Sequence, residues 1–194
     1  MPASDTRAAI VEAADRLFYE TGFASTSFAD IAAAVKLSRG NFYYHFKSKD
    51  EILAAVIALR LERTEKLLAQ WEDEGDDAEA RILSFIGILI ANRAKIMRFG
   101  CPVGTLCNEL VKLDHAAGAD AARLFTLFRD WLARQFRTLG HSEDEAARLA
   151  MHLLARSQGV ATLASSIGDE AFIDAEVAEM RSFVAAHRRP AAHA

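Results

Sequence analysis

The chain has 194 residues, 52% of them hydrophobic and 26% charged, so it can bury a full core in one or two domains and is not disordered. Its longest uncharged runs, of about a dozen residues, are too short to span a membrane, and its first residues lack the apolar core of a signal peptide, which predicts a cytoplasmic protein. A net charge of −4 argues against indiscriminate binding to nucleic acid, and two cysteines do not make a disulfide framework.

The first predicted helix covers residues 6–21. Its apolar residues recur with helical spacing, and Gly22 is a natural end for it. A second helix is predicted to begin after Ser27. Ser27 and Asp30, three residues apart, can form a capping box in which each side chain binds the backbone of the other.

A short third helix follows a two-residue turn at Lys36. Ser38 can cap this helix, while Phe42 and Phe46, four residues apart, provide its buried face. The opposite face carries Arg39, Asn41, Tyr44 and His45, with Tyr43 at its edge. Between residues 31 and 49 there are basic residues and no acid. A short basic helix with aromatic and amide side chains, held by a partner helix, is suited to the major groove of DNA.

Six further helices are predicted from apolar spacing and end signals. Their ranges are 48–71, 80–98, 102–113, 119–139, 142–167 and 169–187. The helix over 80–98 is apolar on nearly every side, so we expect it at the centre of its domain. The chain is therefore predicted to be all-α, with roughly nine helices in total.

Residues 6–53 closely resemble the DNA-binding domain of the TetR family of bacterial transcriptional regulators. The resemblance rests on the ETGF end of the first helix, the Thr-Ser pair before the second, and the run SRGNFYYHFKSKDEIL. It implies a three-helix helix-turn-helix domain at residues 4–64, with its motif near 27–46. A C-terminal helical domain for effector binding and dimerisation would then occupy 65–194. The implied function is a repressor that binds a pseudo-palindromic operator as a homodimer and is released by a small apolar effector.

Lys36 departs from the family pattern, because many members have glycine at this turn. A lysine there implies either a negative φ or a left-handed backbone, which costs about 1 kcal/mol. It also places an additional cation near the DNA backbone.

The residues that we expect at the DNA are Thr26, Ser27, Lys36, Arg39, Gly40, Asn41, Tyr43, Tyr44, His45, Lys47 and Lys49. Arg39, Asn41 and Tyr44 are expected nearest the base edges, and the others at or near the phosphates. Gly40 lowers the stability of a helix by up to about 1 kcal/mol relative to alanine. We therefore expect DNA to approach the backbone closely at Gly40.

The helix over 119–139 has more apolar residues than one packing stripe needs, which indicates that it both packs and lines a cavity. The residues expected to contact the effector are Phe85, Asn92, Phe125, Phe128, Trp131, His152 and Gln158. For any single aromatic residue of this set, ordinary core packing is the alternative. If Trp131 lines the site, its replacement by alanine abolishes induction and spares DNA binding.

In TetR-like proteins the last two long helices form a four-helix dimer interface, and the helices over 142–167 and 169–187 fit this role. The residues expected at the interface are Gly159, Ala164, Ile173, Val177, Met180 and Val184. Glutamate at Val177 or Met180 is therefore expected to separate the dimer.

Two alternative functions depend on cysteine. Cys101, at the start of the helix over 102–113, is a candidate thiol for redox or electrophile sensing, because a helix N-terminus and a nearby cation favour thiolate. Cys107 with Asp114 or His115 would make an activated nucleophile, but about two helical turns separate Cys107 from His115, which disfavours an enzyme. A third alternative is a regulator that has lost its ligand. The sequence predicts no catalytic residue, metal site or cofactor.

Overall fold

A computed structural model describes the backbone of residues 3–188, together with the side chains in this range apart from those of residues 3, 4 and 39. Within that range the chain is helical, with no strand. The helices are α1 (Ala3–Glu20), α2 (Phe28–Ala34), α3 (Arg39–His45), α4 (Lys49–Glu74), α5 (Ala78–Ala91), α6 (Arg93–Phe99), α7 (Pro102–Lys112), α8 (Gly118–Thr138), α9 (Glu143–Ile167) and α10 (Glu170–Ala186). The all-α fold is confirmed. No helix among the described residues is long and apolar enough to cross a membrane.

The helix predicted over residues 80–98 is in fact two helices, α5 and α6, because the helical backbone is interrupted at Asn92 (φ −105°, ψ 12°). The side-chain amide of Asn92 donates to Ile88 O at 3.1 Å. Asparagine competes for backbone groups in this way and so favours helix ends. The apolar spacing continues through Asn92, which is why periodicity did not reveal the break. Asn92 is exposed and its side chain caps the end of α5, and its role in orienting an effector stays a prediction.

The turn between α2 and α3 has Lys36 in the left-handed region, with φ at 55°. The Lys36 N–H donates to Ala33 O and the Leu37 N–H donates to Ala32 O, each at 3.1 Å. The end of α2 is thus closed in the manner usual for glycine, but by a lysine. Of the two backbone conformations considered for Lys36, the left-handed one is present, with its strain of about 1 kcal/mol.

The chain divides into two compact units, and the first combines the residues up to Arg63 with Pro102–Leu124. Its buried apolar residues include Ile10, Ala14, Phe18, Phe23, Ile31, Phe42, Phe46, Ile52, Leu53, Val56 and Leu110. Leu110 belongs to α7, which contacts α1. A helix assigned from the sequence to the C-terminal domain therefore packs with the N-terminal helices. Chain order alone gives no sign of such a long-range contact.

A buried arginine of α4 forms hydrogen bonds with α1 and with the first residue of α7. Arg60 Nε donates to Asp15 Oδ1 at 2.5 Å, and Arg60 Nη1 donates to Pro102 O at 2.7 Å. Arg60 is only 8% exposed. Because a buried charge is costly without partners, these contacts specify how the three helices meet.

The second unit comprises Thr64–Cys101 and the residues from Phe125 onward. Its core includes Ile82, Ile86, Trp131, Leu132, Phe136, Leu149, Leu153, Ala164, Ile173, Val177, Met180 and Val184. The last five of these were predicted at the dimer interface, but each is at most 4% exposed within the single chain. That prediction is wrong for these five, whereas Gly159 is exposed. Helical spacing identifies an apolar stripe without telling whether it faces the chain's own core or a partner.

Candidate nucleic-acid interface

Ser27 and Asp30 form a complete capping box at the start of α2. Ser27 Oγ accepts from the Asp30 N–H at 3.2 Å, while Asp30 Oδ2 accepts from Ser27 Oγ at 2.6 Å and from the Ser27 N–H at 2.8 Å. The side-chain hydrogen bond and then the backbone one lower the pKa of Asp30. The stabilisation by this cap is therefore present above the pKa of an unpaired aspartate and is lost as the pH falls through the lowered pKa.

Thr26, expected at the DNA, is buried instead, with 2% exposure. Its Oγ1 donates to Gly22 O at 2.7 Å and lies 2.9 Å from Thr21 Oγ1. The Thr26 N–H donates to Phe23 O at 3.3 Å. Because both its hydroxyl and its amide are occupied within the loop, Thr26 shapes the entry to α2 and its side chain does not face a phosphate.

One side of α3 is buried and the other is open. Phe42 and Phe46 are each 1% exposed, so they anchor the helix in the first unit. Asn41 is exposed, and Tyr44 is 72% exposed. The side chain of Arg39, which the sequence places near the base edges, lies outside the described side chains. The structure thus leaves a face with amide and phenol groups available to another molecule.

Neighbouring side chains hold the edge of this face in place. The Tyr43 ring stacks on Phe28, with centroids 5.4 Å apart and planes 16° apart. Lys47 Nζ donates to Tyr43 O at 2.6 Å, at the C-terminal end of α3 where carbonyl groups favour a cation. His45 is half-buried, and its ring meets Tyr44 edge-on at 5.2 Å.

Gly40, the second residue of α3, has no role in packing within the chain. A Cβ atom added at Gly40 would meet no atom within 4 Å, and the backbone there is not in the left-handed region. Glycine is therefore not required by any contact inside the described part of the molecule. This agrees with an external reason for glycine, such as the close approach of DNA.

We expect Gly40→Ala to stabilise the free protein and to weaken its binding to DNA. Alanine favours a helix by up to about 1 kcal/mol over glycine, which raises the melting temperature of a chain of this size by up to roughly 4 °C. Thermal unfolding and fluorescence anisotropy with duplex DNA measure the two effects. Gly87→Ala in α5 is the matched control, since a Cβ there also meets nothing within 4 Å. Equal DNA affinity for both variants would contradict the expected close approach.

Lys49, the first residue of α4, is directed at the loop before α2. Its Nζ donates to Phe23 O at 2.9 Å and to Thr26 O at 3.2 Å, and lies 3.4 Å from Ala24 O. The same Nζ is 4.3 Å from the centroid of the Phe23 ring, a cation–π contact. The sequence assigned this ammonium group to a phosphate. Because the ammonium group of Lys49 binds carbonyl oxygens of the loop, it stabilises the loop instead.

Part of the predicted effector set comes together in the core of the second unit. The Phe85 and Phe128 rings lie 5.7 Å apart, and the Trp131 ring lies 5.6 Å from that of Trp71. Phe125 is half-buried against the same core. Trp131 is fully buried, so it also supports the fold.

Two buried polar atoms on α8 have no hydrogen-bond partner, Trp131 Nε1 and Gln135 Oε1. They belong to side chains four residues apart, which lie on one face of a helix. Gln135 Nε2 donates to Glu72 Oε1 at 3.3 Å, and this contact fixes which end of the amide carries the oxygen. An unpaired buried polar group costs about 1–3 kcal/mol. The sequence analysis did not single out Gln135, because glutamine is usually a surface residue.

The other polar residues predicted to orient an effector have different neighbours. His152 is exposed and stacks on Phe183, with ring centroids 4.5 Å apart. Gln158 is half-buried, and its Nε2 donates to Ser157 Oγ at 3.5 Å. These contacts give neither residue a position beside the Phe85–Phe128 pair.

The two cysteines lie in different units. Cys101 is half-buried against the core of the second unit, whereas Cys107 is buried within α7 of the first. His115 Nε2 lies 3.4 Å from Asp50 Oδ1, and His115 Nδ1 accepts from the Ala117 N–H at 3.1 Å. Both ring nitrogens of His115 thus have partners other than Cys107.

Two family models match the chain. Residues 10–56 match the model for bacterial regulatory proteins of the tetR family. Residues 80–179 match the model for the C-terminal domain of LmrA/YxaF-like transcriptional regulators. The second match by itself covers just over half of the chain.

Similar proteins and structures agree with these matches. The chain is 30% identical over 137 residues to a helix-turn-helix transcriptional regulator in the lacX 3′ region of Lactococcus lactis subsp. lactis, and the alignment covers 70% of each protein. It is 40% identical over 77 residues to the regulator TtgR of Pseudomonas putida, which is 40% of this chain and 36% of TtgR. A TetR-family structure from Agrobacterium tumefaciens shares the fold with a TM-score of 0.82 at 21% identity, covering 93% of this chain and 98% of that one. One from Legionella pneumophila has a TM-score of 0.80 at 24% identity, covering 93% and 96%.

Proposed function

Because the chain belongs to the TetR family of bacterial transcriptional regulators, we propose that it is a repressor that binds a pseudo-palindromic DNA operator as a homodimer and leaves it when a small effector binds. The observation that carries the proposal is the face of α3, where Asn41, Tyr43 and Tyr44 are exposed while Phe42 and Phe46 are buried. A helix anchored on one side can present hydrogen-bonding groups to base edges with its other side.

The proposed DNA contacts are Ser27, Lys36, Arg39, Gly40, Asn41, Tyr43, Tyr44, His45 and Lys47. Asn41 and Tyr44, with Arg39, would face the base edges, and the rest would face the phosphates. Thr26 and Lys49 would act indirectly, through the loop that they hold. Residues 31–49 carry an excess of basic side chains, while the whole chain has a net charge of −4. This uneven distribution favours one orientation of the protein on DNA.

Selection of bound duplexes from a random DNA library tests this function and the division of roles. Asn41→Ala should change the preferred sequence, at about 1–3 kcal/mol for a lost base contact. Lys47→Ala should weaken all sequences alike and reduce the slope of log affinity against log salt by about 0.9, since one phosphate contact is lost. The control is Lys95→Ala, an exposed lysine of α6. The proposal fails if the unchanged protein selects no duplex at low salt.

The dimer is proposed to form through the outer faces of α9 and α10. On α9 the exposed residues Met151, Gly159, Leu163 and Ile167 repeat at intervals of four or eight residues. Ile167 is 70% exposed, and the two other large apolar side chains about half. Such a stripe, opposite a face that is already buried in the core, supports contact with a second copy of the chain.

The effector is proposed to bind beside the Phe85–Phe128 pair and Trp131 in the second unit. Ligand sites are mostly apolar with a few polar groups that fix orientation. The unpaired atoms Trp131 Nε1 and Gln135 Oε1 would suit an uncharged group that both accepts and donates a hydrogen bond. Release of DNA then requires that the effector binds more tightly to the conformation that cannot bind DNA than to the conformation that can. An effector with equal affinity for both conformations would not shift the equilibrium between them.

A further inference from the structure

The loop between α1 and α2 is held from one side by a carboxylate of α7. The backbone N–H of Phe23 donates to Glu109 Oε2, and that of Ala24 donates to Glu109 Oε1, both at 2.8 Å. Hydrogen bonds to an ionised acceptor are about twice as strong as those between neutral groups. Because loop N–H groups have no helical partner, Glu109 satisfies two donors that would otherwise need water.

The same two residues are held through their carbonyl groups by α4. Lys49 Nζ donates to Phe23 O at 2.9 Å and lies near Ala24 O at 3.4 Å. The loop is thus bound through its N–H groups by an anion and through its carbonyl groups by a cation. Opposite charges on the two sides match the direction of the peptide dipoles, so the arrangement fixes the orientation of the loop as well as its position.

The fit at this contact leaves little space. A Cβ atom at Gly22, whose φ is 93°, would lie 3.2 Å from Glu109 Oε1. Phe23 is 4% exposed, and its ring meets the ring of His115, which follows α7, edge-on with centroids 5.2 Å apart. The segment containing α7 therefore contacts the loop at two points, through Glu109 and through His115.

This loop runs directly into the cap of α2. Thr26 O accepts from Lys49 Nζ at 3.2 Å, and the next residue, Ser27, is the N-cap of α2. In the other direction, α7 follows α6 after only Gly100 and Cys101. Along the chain, α7 therefore follows α6 of the second unit almost directly and itself contacts the loop before α2.

We propose that Glu109 is a positioning residue for DNA binding, through which α7 controls the placement of α2. With the carboxylate in place, the loop and the α2 cap are fixed for docking on phosphate. A displacement of α7 that withdraws the carboxylate frees two N–H groups, loosens the loop and lowers the affinity for DNA. The inference rests on the proposed function, and it adds a residue that does not itself touch DNA.

Glu109→Gln tests the proposal, because the amide has the same shape but can accept at only one of its two ends. We expect affinity for every duplex to fall about tenfold, with the order of preferred sequences unchanged. The salt slope should also stay unchanged, since Glu109 neutralises no phosphate. Hydrogen exchange of the Phe23 and Ala24 amides should accelerate at least tenfold, while exchange in α8–α10 keeps its rate, which distinguishes loosening of the loop from general unfolding.

Glu65→Gln, an exposed glutamate of α4, is the matched control and should change neither measurement. If Glu109→Gln does not fold, Glu109→Asp, which keeps the charge and shortens the reach, is measured in the same way. Faster exchange with affinity within twofold of the parent would overturn the positioning role, and unchanged exchange would show that the carboxylate does not hold the loop. If the parent itself binds no duplex, the proposed function fails and the positioning role with it, while exchange still decides whether Glu109 holds the loop.

Discussion

Met180→Glu is expected to unfold the second unit rather than to separate a dimer. Met180 is fully buried in the core that α10 shares with α5 and α9, so a carboxylate there would be removed from water among apolar side chains. The lost packing and the buried charge together cost about 3–5 kcal/mol, a large share of the 5–15 kcal/mol that stabilises a typical protein. Urea unfolding followed by circular dichroism measures the loss.

Leu163→Glu is the matched variant on the outer face of α9. Leu163 is 48% exposed, so its replacement can keep its charge in water within a single chain. We expect this variant to retain its helical circular dichroism and to sediment as a monomer, because glutamate would be buried between two copies. A Met180→Glu protein that is folded but monomeric would contradict this expectation. It would indicate that the dimer interface includes the face of α10 that carries Met180.

Trp131→Ala is expected to abolish DNA binding together with any response to an effector. Trp131 is fully buried and packs against Trp71, and removal of a buried tryptophan side chain costs about 3–5 kcal/mol. The sequence alone predicted loss of induction with DNA binding spared. The burial of this residue now makes general destabilisation the expected result, measured by thermal unfolding beside fluorescence anisotropy with duplex DNA.

Trp131→Phe separates the two roles of this residue. Phenylalanine keeps an aromatic ring in the core and removes Nε1, an atom with no hydrogen-bond partner in the free protein. Trp131→Phe should therefore lower the free energy of unfolding much less than Trp131→Ala does. If Nε1 donates to an effector, this variant binds DNA but loses the thermal shift with compounds that stabilise the parent. Retained shifts for all such compounds would remove Nε1 from the effector site.

The features that could be predicted from the sequence depend on residues close together along the chain. The Ser27–Asp30 capping box and the Ser38 cap each join residues three positions apart, and the structure has both, with Ser38 Oγ accepting from the Asn41 N–H at 3.4 Å. The anchors Phe42 and Phe46 follow from the same local spacing. Because the physical cause of such a pattern lies within a few residues, the pattern predicts where a helix begins and which of its residues are buried.

The features that could not be predicted depend on contacts across the chain. No local pattern tells that Glu109 binds the amides of Phe23 and Ala24, which lie 86 and 85 residues away. The apolar stripe on α10, with Val177 and Met180, was recognised correctly but assigned to the wrong neighbour. The burial of Trp131 could not be predicted for the same reason, because it depends on how the helices of the second unit pack together.

The first unit is built from two stretches that are distant in the chain, and this has a consequence for protein synthesis. A ribosome adds about 5–20 residues per second, so α1 to α4 emerge some seconds before α7 exists. During that interval the carbonyl of Pro102 is missing for Arg60, and Leu110 is missing from the apolar core. The helix-turn-helix region therefore completes its packing only after α5 and α6 have been made. A nascent or truncated chain that stops before α7 has the residues of the DNA-binding surface but lacks the contacts that α7 makes with Arg60 and with the loop before α2.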